Sequence, residues 1–255
     1  MFQGRRRDRG RRRIQRQAGA LVVTPTLIGV DGARAGWISA WKAPRRAIRL
    51  KLYTAFADLV CEAPDGSIIM VDMPVGLSEA TEDGGRSCER ACRAFLRAKS
   101  SSVFSTPSRA ALEATTREKA GAIVRRDLPH RTGVTLQLWN IRQKILELDA
   151  IIGANHRPVR ILETHPEAIF ATLNGGDAVL AKKKSLEGRR LRLSLLAGQG
   201  LDIEPLVGAR PRGCAADDVI DACACLWAAT RVSSGTATVF GRGVDARGRE
   251  TGITV

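Results

Sequence analysis

Three apolar runs in this chain each end in an acid. Leu27-Ile28-Gly29-Val30 leads into Asp31, Ser67-Ile68-Ile69-Met70-Val71 into Asp72, and Val159-Arg160-Ile161-Leu162 into Glu163. A fourth acidic group, Asp217, Asp218 and Asp221, opens an Ala- and Cys-rich segment near the C-terminus. Carboxylates crowded together repel one another and hold their protons more tightly unless a cation sits among them. A small set of hard oxygen ligands suits Mg²⁺ or Mn²⁺. Two such ions about 4 Å apart serve phosphodiester cleavage by activating a water and stabilising the leaving oxygen.

Taken singly, each acid also has a plain structural role. Asp31-Gly32 is a common turn pair, Asp72 precedes the turn-forming Met73-Pro74, and Asp217 can cap a helix. Their repeated placement at strand ends and at a helix start is what sets them apart. Within the last segment, Asp217 sits where an N-cap is expected. Asp218 and Asp221 are spaced i,i+3 and share a face, so they form the pair expected to reach the metals.

The elements that must position these acids follow from the hydrophobic pattern. The first strand ends at Asp31, and a polar turn, 32–35, leads to a second strand, Gly36 to Trp41. Ile48 to Tyr53 alternates apolar and polar residues, as a half-buried third strand does. Phe56 to Glu62 reads as a short helix and Ser67 to Asp72 as the fourth strand. Helical patterns follow over Arg86 to Lys99, Arg109 to Arg126 and Leu136 to Ile152. Val159 to Glu163 is a fifth strand, halted by Pro166. A basic helix, Leu186 to Leu196, and a last helix, Asp217 to Val232, precede a short strand at Ala237 to Phe240.

Three hairpin-linked strands, then helix, strand, helices and strand, describe an α/β fold. The order is the ribonuclease H-like topology: a mixed five-stranded sheet, helices on both faces and a helical insertion at about 80–155. In that topology the first, fourth and fifth strands are parallel neighbours. Their carboxyl ends share one sheet edge, where open α/β sheets place ligand sites.

Several segments resemble domain-of-unknown-function family 429 (DUF429). They are Gly29-Val30-Asp31-Gly32 with Gly36-Trp37, Val71 to Leu77, Ser102-Val103-Phe104, Glu163 to Glu167, Lys183-Lys184, Gly188-Arg189 and Asp217 to Ala222. The resemblance runs in order from Leu27 to the C-terminus and implies predicted nucleases of the ribonuclease H-like class. The stretch Asp218-x-x-Asp221-Ala222 is also similar to the last helix of Holliday-junction resolvases, which brings two acids to the metals. By that likeness Asp31, Asp72, Asp218 and Asp221 are the expected metal ligands and catalytic acids. Glu163 is carried as a catalytic strand-end acid of the family motif. Arg86 and Arg109 resemble family positions without an assigned role.

Other residues fill out the expected site. His165 follows Glu163 by two, the spacing for a proton relay or phosphate contact, and a hydrogen-bonded structural histidine fits the same position. Lys183, Lys184, Arg189 and Arg192 form a dense basic stretch after the fifth strand. They read as nucleic-acid contacts or as a solvated helix face. An apolar strand ending in Asp-Gly also suggests sugar-kinase and actin-type ATPases. Those need phosphate loops and two similar halves, and Asn174-Gly175-Gly176-Asp177 reads as a simple turn.

The net charge is +15, which favours polyanionic partners. Eight arginines and Asp8 place +7 of it in residues 1–20, leaving +8 on the rest. Residues 1–20 are expected to be a disordered, Arg-rich nucleic-acid arm or an over-extended gene start; residues 21–255 are expected to be a single domain. Leu21 to Val30 contains Pro25 and runs into a core strand, so no signal peptide and no membrane span is expected. The six cysteines lack the paired spacing of a zinc site and suit a cytoplasmic protein with reduced thiols.

The expected function is a Mg²⁺- or Mn²⁺-dependent nuclease that hydrolyses phosphodiester bonds in DNA or RNA. Two alternatives carry different expectations. A nucleic-acid-binding module that has lost catalysis would bind without turnover. An enzyme of small phosphorylated metabolites would yield to nucleotide competition.

Overall fold

A computed structural model describes residues 24–155 and 157–255. The Arg-rich stretch 1–20 lies outside the described residues. The chain opens with β1 (Leu27–Ala33), β2 (Gly36–Lys42), β3 (Arg49–Tyr53), α1 (Phe56–Glu62) and β4 (Ile68–Val71). Then come α2 (Ser87–Leu96), a 3₁₀ turn (Arg97–Ser102), α3 (Arg109–Glu113), α4 (Arg117–Asp127), α5 (Leu136–Ala154) and β5 (Arg160–Glu163). The remainder is α6 (Pro166–Leu173), α7 (Leu186–Ala197), α8 (Glu204–Gly208), α9 (Ala216–Ser234), β6 (Val239–Val244) and β7 (Glu250–Thr254).

The main sheet has the order β3-β2-β1-β4-β5. β1 pairs antiparallel with β2 and parallel with β4, and β4 pairs parallel with β5. This mixed sheet, with helices on both faces and α2 to α5 inserted between β4 and β5, is a ribonuclease H-like arrangement. Ile28, Val30, Ile69 and Val71 pack on one face with α1, α3 and α5. Ile68, Met70 and Ala40 pack on the other with α9, α6 and α2. The period of two along each strand therefore sorts the core into two layers.

Gly29 lets α9 lie directly on β1. A Cβ at that position would overlap the Ala222 carbonyl and the Leu226 nitrogen. Backbone contact this close carries the start of α9 to the end of β1.

Several elements depart from the sequence reading. The expected helix Arg109 to Arg126 breaks into α3 and α4, because Ala114 is extended and Thr116 caps a fresh start at Lys119 N. Pro166 ends the strand register but occupies the first turn of α6, where its missing N–H costs nothing. The short strand expected at Ala237 to Phe240 is one arm of a hairpin, β6 with β7. The N-cap of α9 is Ala215 rather than Asp217. No helix among the described residues is long and apolar enough to cross a membrane.

Candidate active site

Sheet register decides which acids meet. Val30 pairs with Val71, so Asp31 and Asp72 leave adjacent strands level with each other on the α9 face. Val71 in turn pairs with Glu163, so on β5 the residue level with Asp72 is Thr164. Glu163 comes one residue early, and a one-residue offset reverses the face of a strand.

The consequence is visible in its partners. Glu163 accepts from Arg86 Nη2 at 2.7 Å, Arg86 Nη1 at 2.9 Å and the Val75 N–H at 2.8 Å. Burial pushes its carboxyl up, and the Arg86 guanidinium opposes that push. Arg86 also donates to Glu89 and to the carbonyls of Val75 and Gly76. Glu163 still lines the cavity that Asp31 and Asp72 face, and its charge helps to raise the Asp72 pKa. Its two oxygens tie β5 to the loop after β4 and to the start of α2, which holds the frame behind Asp72.

α9 supplies the other acids. Its capping arrangement places Asp218 at the third helical position, where its carboxylate accepts from the Ala215 N–H at 2.8 Å. Asp218 therefore caps the helix and also lines the site, whereas Asp217 was expected to be the cap. One turn further, Asp221 is only 3% exposed. Lys183 reaches it from the segment before α7, with Nζ 2.9 Å from Asp221 Oδ2 and 3.7 Å from Asp217 Oδ2.

Asp31, Asp72, Asp218, Asp221 and Lys183 line one cavity of about 540 Å³. Asp31 is held well above the ordinary carboxylate range by burial first, then by the charges of Asp72 and Asp221. Burial pushes Asp72 up to about 7 despite the opposing pull of Lys183. Asp221 is pushed up to about 6 by burial, again against Lys183. Asp218 is raised by burial and by Asp217. Burial works against the charge of Lys183, but Asp221, Asp31 and Asp217 outweigh it and keep the ammonium protonated.

Hydrogen bonding separates these acids further. The Asp31 carboxylate accepts from the N–H of Gly32, its own neighbour, at 2.7 Å. The Asp72 carboxylate has no hydrogen-bond donor among the described residues. Asp72 is half-buried and faces the cavity, so its lone pairs are open to water or to a ligand. Two ammoniums line the cavity, Lys183 and Lys144, but Lys144 gives its Nζ to the Gly36 carbonyl, so among the described residues only Lys183 pairs with these acids. The donor set is hard oxygen throughout, which fits Mg²⁺ or Mn²⁺. Among the described residues no three His, Cys, Asp or Glu side chains already stand together as a metal cage. Lys183 is the cation these acids hold in this structure.

The remaining expected residues are placed differently. His165 Nε2 lies 3.3 Å from the Ser102 carbonyl, Nδ1 is buried without a partner among the described residues, and burial lowers the imidazole's pKa. The ring lines the cavity as a neutral side chain. Arg192 is only 1% exposed and binds Glu167 through Nη2 at 2.8 and 2.9 Å. Its assignment as a nucleic-acid contact is therefore corrected. On α7, Gly188, Arg192 and Leu196 fall on one buried face at i,i+4 spacing. Lys184 is exposed and Arg189 half-buried. Sequence reasoning gave Lys183 a phosphate rather than the neighbouring carboxylates. It left Arg86 without a role, because the carboxylate that holds its Nη atoms, Glu163, lies 77 residues away.

Residues 29–245 match the model of a family described as protein of unknown function (DUF429). No curated protein and no solved structure matches the chain significantly. The family match covers most of the chain and spans every acid of the cavity, and the chain belongs to the DUF429 family.

Proposed function

We propose that this protein is a metal-dependent nuclease that hydrolyses phosphodiester bonds in nucleic acid. The observation that carries the reading is the meeting of Asp31, Asp72, Asp218 and Asp221 in one cavity at the carboxyl edge of a ribonuclease H-like sheet. Asp72, without a hydrogen-bond donor among the described residues, is the acid best placed to take a cation. Asp31, Asp221 and Asp218 would complete the holding set. A bound Mg²⁺ or Mn²⁺ supplies the Lewis acidity that phosphodiester hydrolysis needs. Lys183 neutralises the acids before binding and offers a positive group to a phosphate afterwards. Arg86 and Glu163 fix the backbone on which Asp72 stands. The net charge of +15 supports a polyanionic substrate.

One observation favours a second reading. Lys183 already satisfies Asp221, and the acids do not stand as a finished metal cage. A binding module of the same fold would keep such a lysine permanently in place.

Labelled single strands, duplexes and branched junctions of DNA and RNA, incubated with Mn²⁺ or Mg²⁺, separate the two. Cleavage that requires the metal and disappears in Asp72→Asn supports the nuclease. Binding without cleavage under any of these conditions overturns it and leaves the module.

A further inference from the structure

The inserted helices build the wall that faces the carboxylates. Phe104, after the 3₁₀ turn, and Ile141, on α5, both line the cavity and are only partly buried, although each packs on the core. Gln137 lies one turn before Ile141, so the two share a face of α5. Its amide is exposed and has no hydrogen-bond partner among the described residues. The Phe104 loop is anchored, because Arg93 Nη1 donates to the carbonyls of Val103 and Phe104 at 2.9 and 3.3 Å. At the mouth, Arg34 in the β1–β2 turn is exposed and makes no ion pair among the described residues.

These groups match the parts of a nucleotide. An aromatic ring and a branched aliphatic side chain offer a stacking face, which accepts any base. A free amide reads the edge of an unpaired base. Arg34 and Lys183 suit a phosphate. The cavity, about 540 Å³, falls within the range of sites that enclose one small ligand, roughly 300–1,000 Å³. A base held in a duplex stack cannot enter a recess walled in this way without leaving the stack.

We propose that the cavity takes one unpaired nucleotide, its base against Phe104 and Ile141 within reach of Gln137, and its phosphate at the carboxylate end. Resting on the nuclease reading above, this makes the substrate a single strand or a frayed strand end rather than an intact duplex. The same chemistry would be met by a free mononucleotide, so the test carries both.

The test is equilibrium binding by fluorescence anisotropy at fixed salt, with Ca²⁺ as the probe cation. Labelled short single strands of DNA and RNA are compared with blunt duplexes of the same sequence, with AMP and dAMP as competitors. The single strand is expected to bind about tenfold more tightly than the duplex. Phe104→Ala is expected to weaken strand binding roughly 5- to 150-fold, the range for loss of one stacking contact, and to leave duplex binding unchanged. Phe104→Leu keeps apolar volume as a check on folding. Gln137→Ala, at an exposed position that leaves the fold intact, is expected to weaken strand binding and alter base preference. Competition by AMP or dAMP at the strand's own concentration range upholds the nucleotide site and names the free nucleotide as its occupant. Equal affinity for strand and duplex, or variants that leave their ratio unchanged, would overturn the inference. If duplex is nevertheless cleaved with Mn²⁺ by the wild type and not by Asp72→Asn, the inference fails while the nuclease reading stands. Tight strand binding without cleavage in any metal does the reverse.

Discussion

Replacing Asp72 by Asn separates a ligand-binding acid from a structural one. In the folded protein burial raises this carboxyl from 3.8 to about 7. Holding it ionised therefore costs about 4 kcal/mol, at 1.36 kcal/mol for each tenfold step in the proton equilibrium. Below about pH 4 the group is protonated in both states and the cost vanishes. Between about 4 and 7 the folded chain binds more protons than the unfolded one, so stability falls as pH rises; above 7 the cost is present in full. Asn removes the charge, but it also takes a carboxylate neighbour from Lys183. About half the cost, about 2 kcal/mol, is the expected net gain at about pH 8 in EDTA, or about 4–8 °C in melting temperature. The curve for Asp72→Asn should also be flatter than that of the wild type between pH 4 and 7. Saturating Mn²⁺, at about 100 times its dissociation constant, should stabilise the wild type by about 2.7 kcal/mol and the variant not at all. Differential scanning fluorimetry across pH, with and without metal, reads all three effects. A variant that melts lower than the wild type at pH 8, with an unchanged pH profile, would show Asp72 to be a paired structural acid and refute the reasoning.

Lys183→Met removes the cation between the acids; metal-free stability should fall by about 1–3 kcal/mol at pH 8 and recover toward wild type at pH 5, where the carboxyls protonate. Equal losses at both pH values would mean that the lysine acts through packing alone. Arg86→Ala leaves Glu163 and Glu89 buried without their counter-ion and should cost about 3–5 kcal/mol by urea unfolding, whereas a loss under 1 kcal/mol would remove Arg86 as the organising cation. Asp218→Asn should lower metal-dependent cleavage on the order of 10–100-fold while costing stability only about 1 kcal/mol. Asp217→Ser should be nearly silent in both assays, and the opposite ranking would move the reacting face of α9 by one residue.

The sheet was legible because its signals are local. Apolar runs bounded by turn residues mark β1, β4 and β5, and alternation marks β3, since strand periodicity needs only a few residues to show itself. The parallel placement of β1, β4 and β5 followed from the order of elements, and the register bears it out. The β6–β7 hairpin was harder to see. Gly241, Gly243, Gly248 and Gly252 interrupt its hydrophobic pattern, and it packs on α2 as a small separate sheet. Gly241 is there because a side chain would overlap the backbone of Ser87 and Cys88. That reason exists only in the folded chain.

The site was legible in its acids and illegible in their partners. Asp31, Asp72, Asp218 and Asp221 line one cavity because strand ends and a helix start are local features that topology brings together. Glu163 has the same sequence signature as Asp31, an acid after an apolar strand. It lines the same cavity, but its strand ends one residue earlier against β4 and both its oxygens are held by Arg86. Hydrophobic pattern fixes a strand to within a residue or two, while side-chain direction turns on a single residue. The same limit explains the basic segment. Lys183, Lys184, Arg189 and Arg192 are one charge run in sequence, but folding divides them by face. Lys183 goes to Asp221, Arg192 to Glu167 in the interior, and Lys184 stays exposed. A buried guanidinium with its own carboxylate is a structural group, while an ammonium at the mouth of an acidic cavity remains available to a phosphate. Charge runs thus report an excess of cations, and only the burial of each side chain tells which of them a ligand can meet.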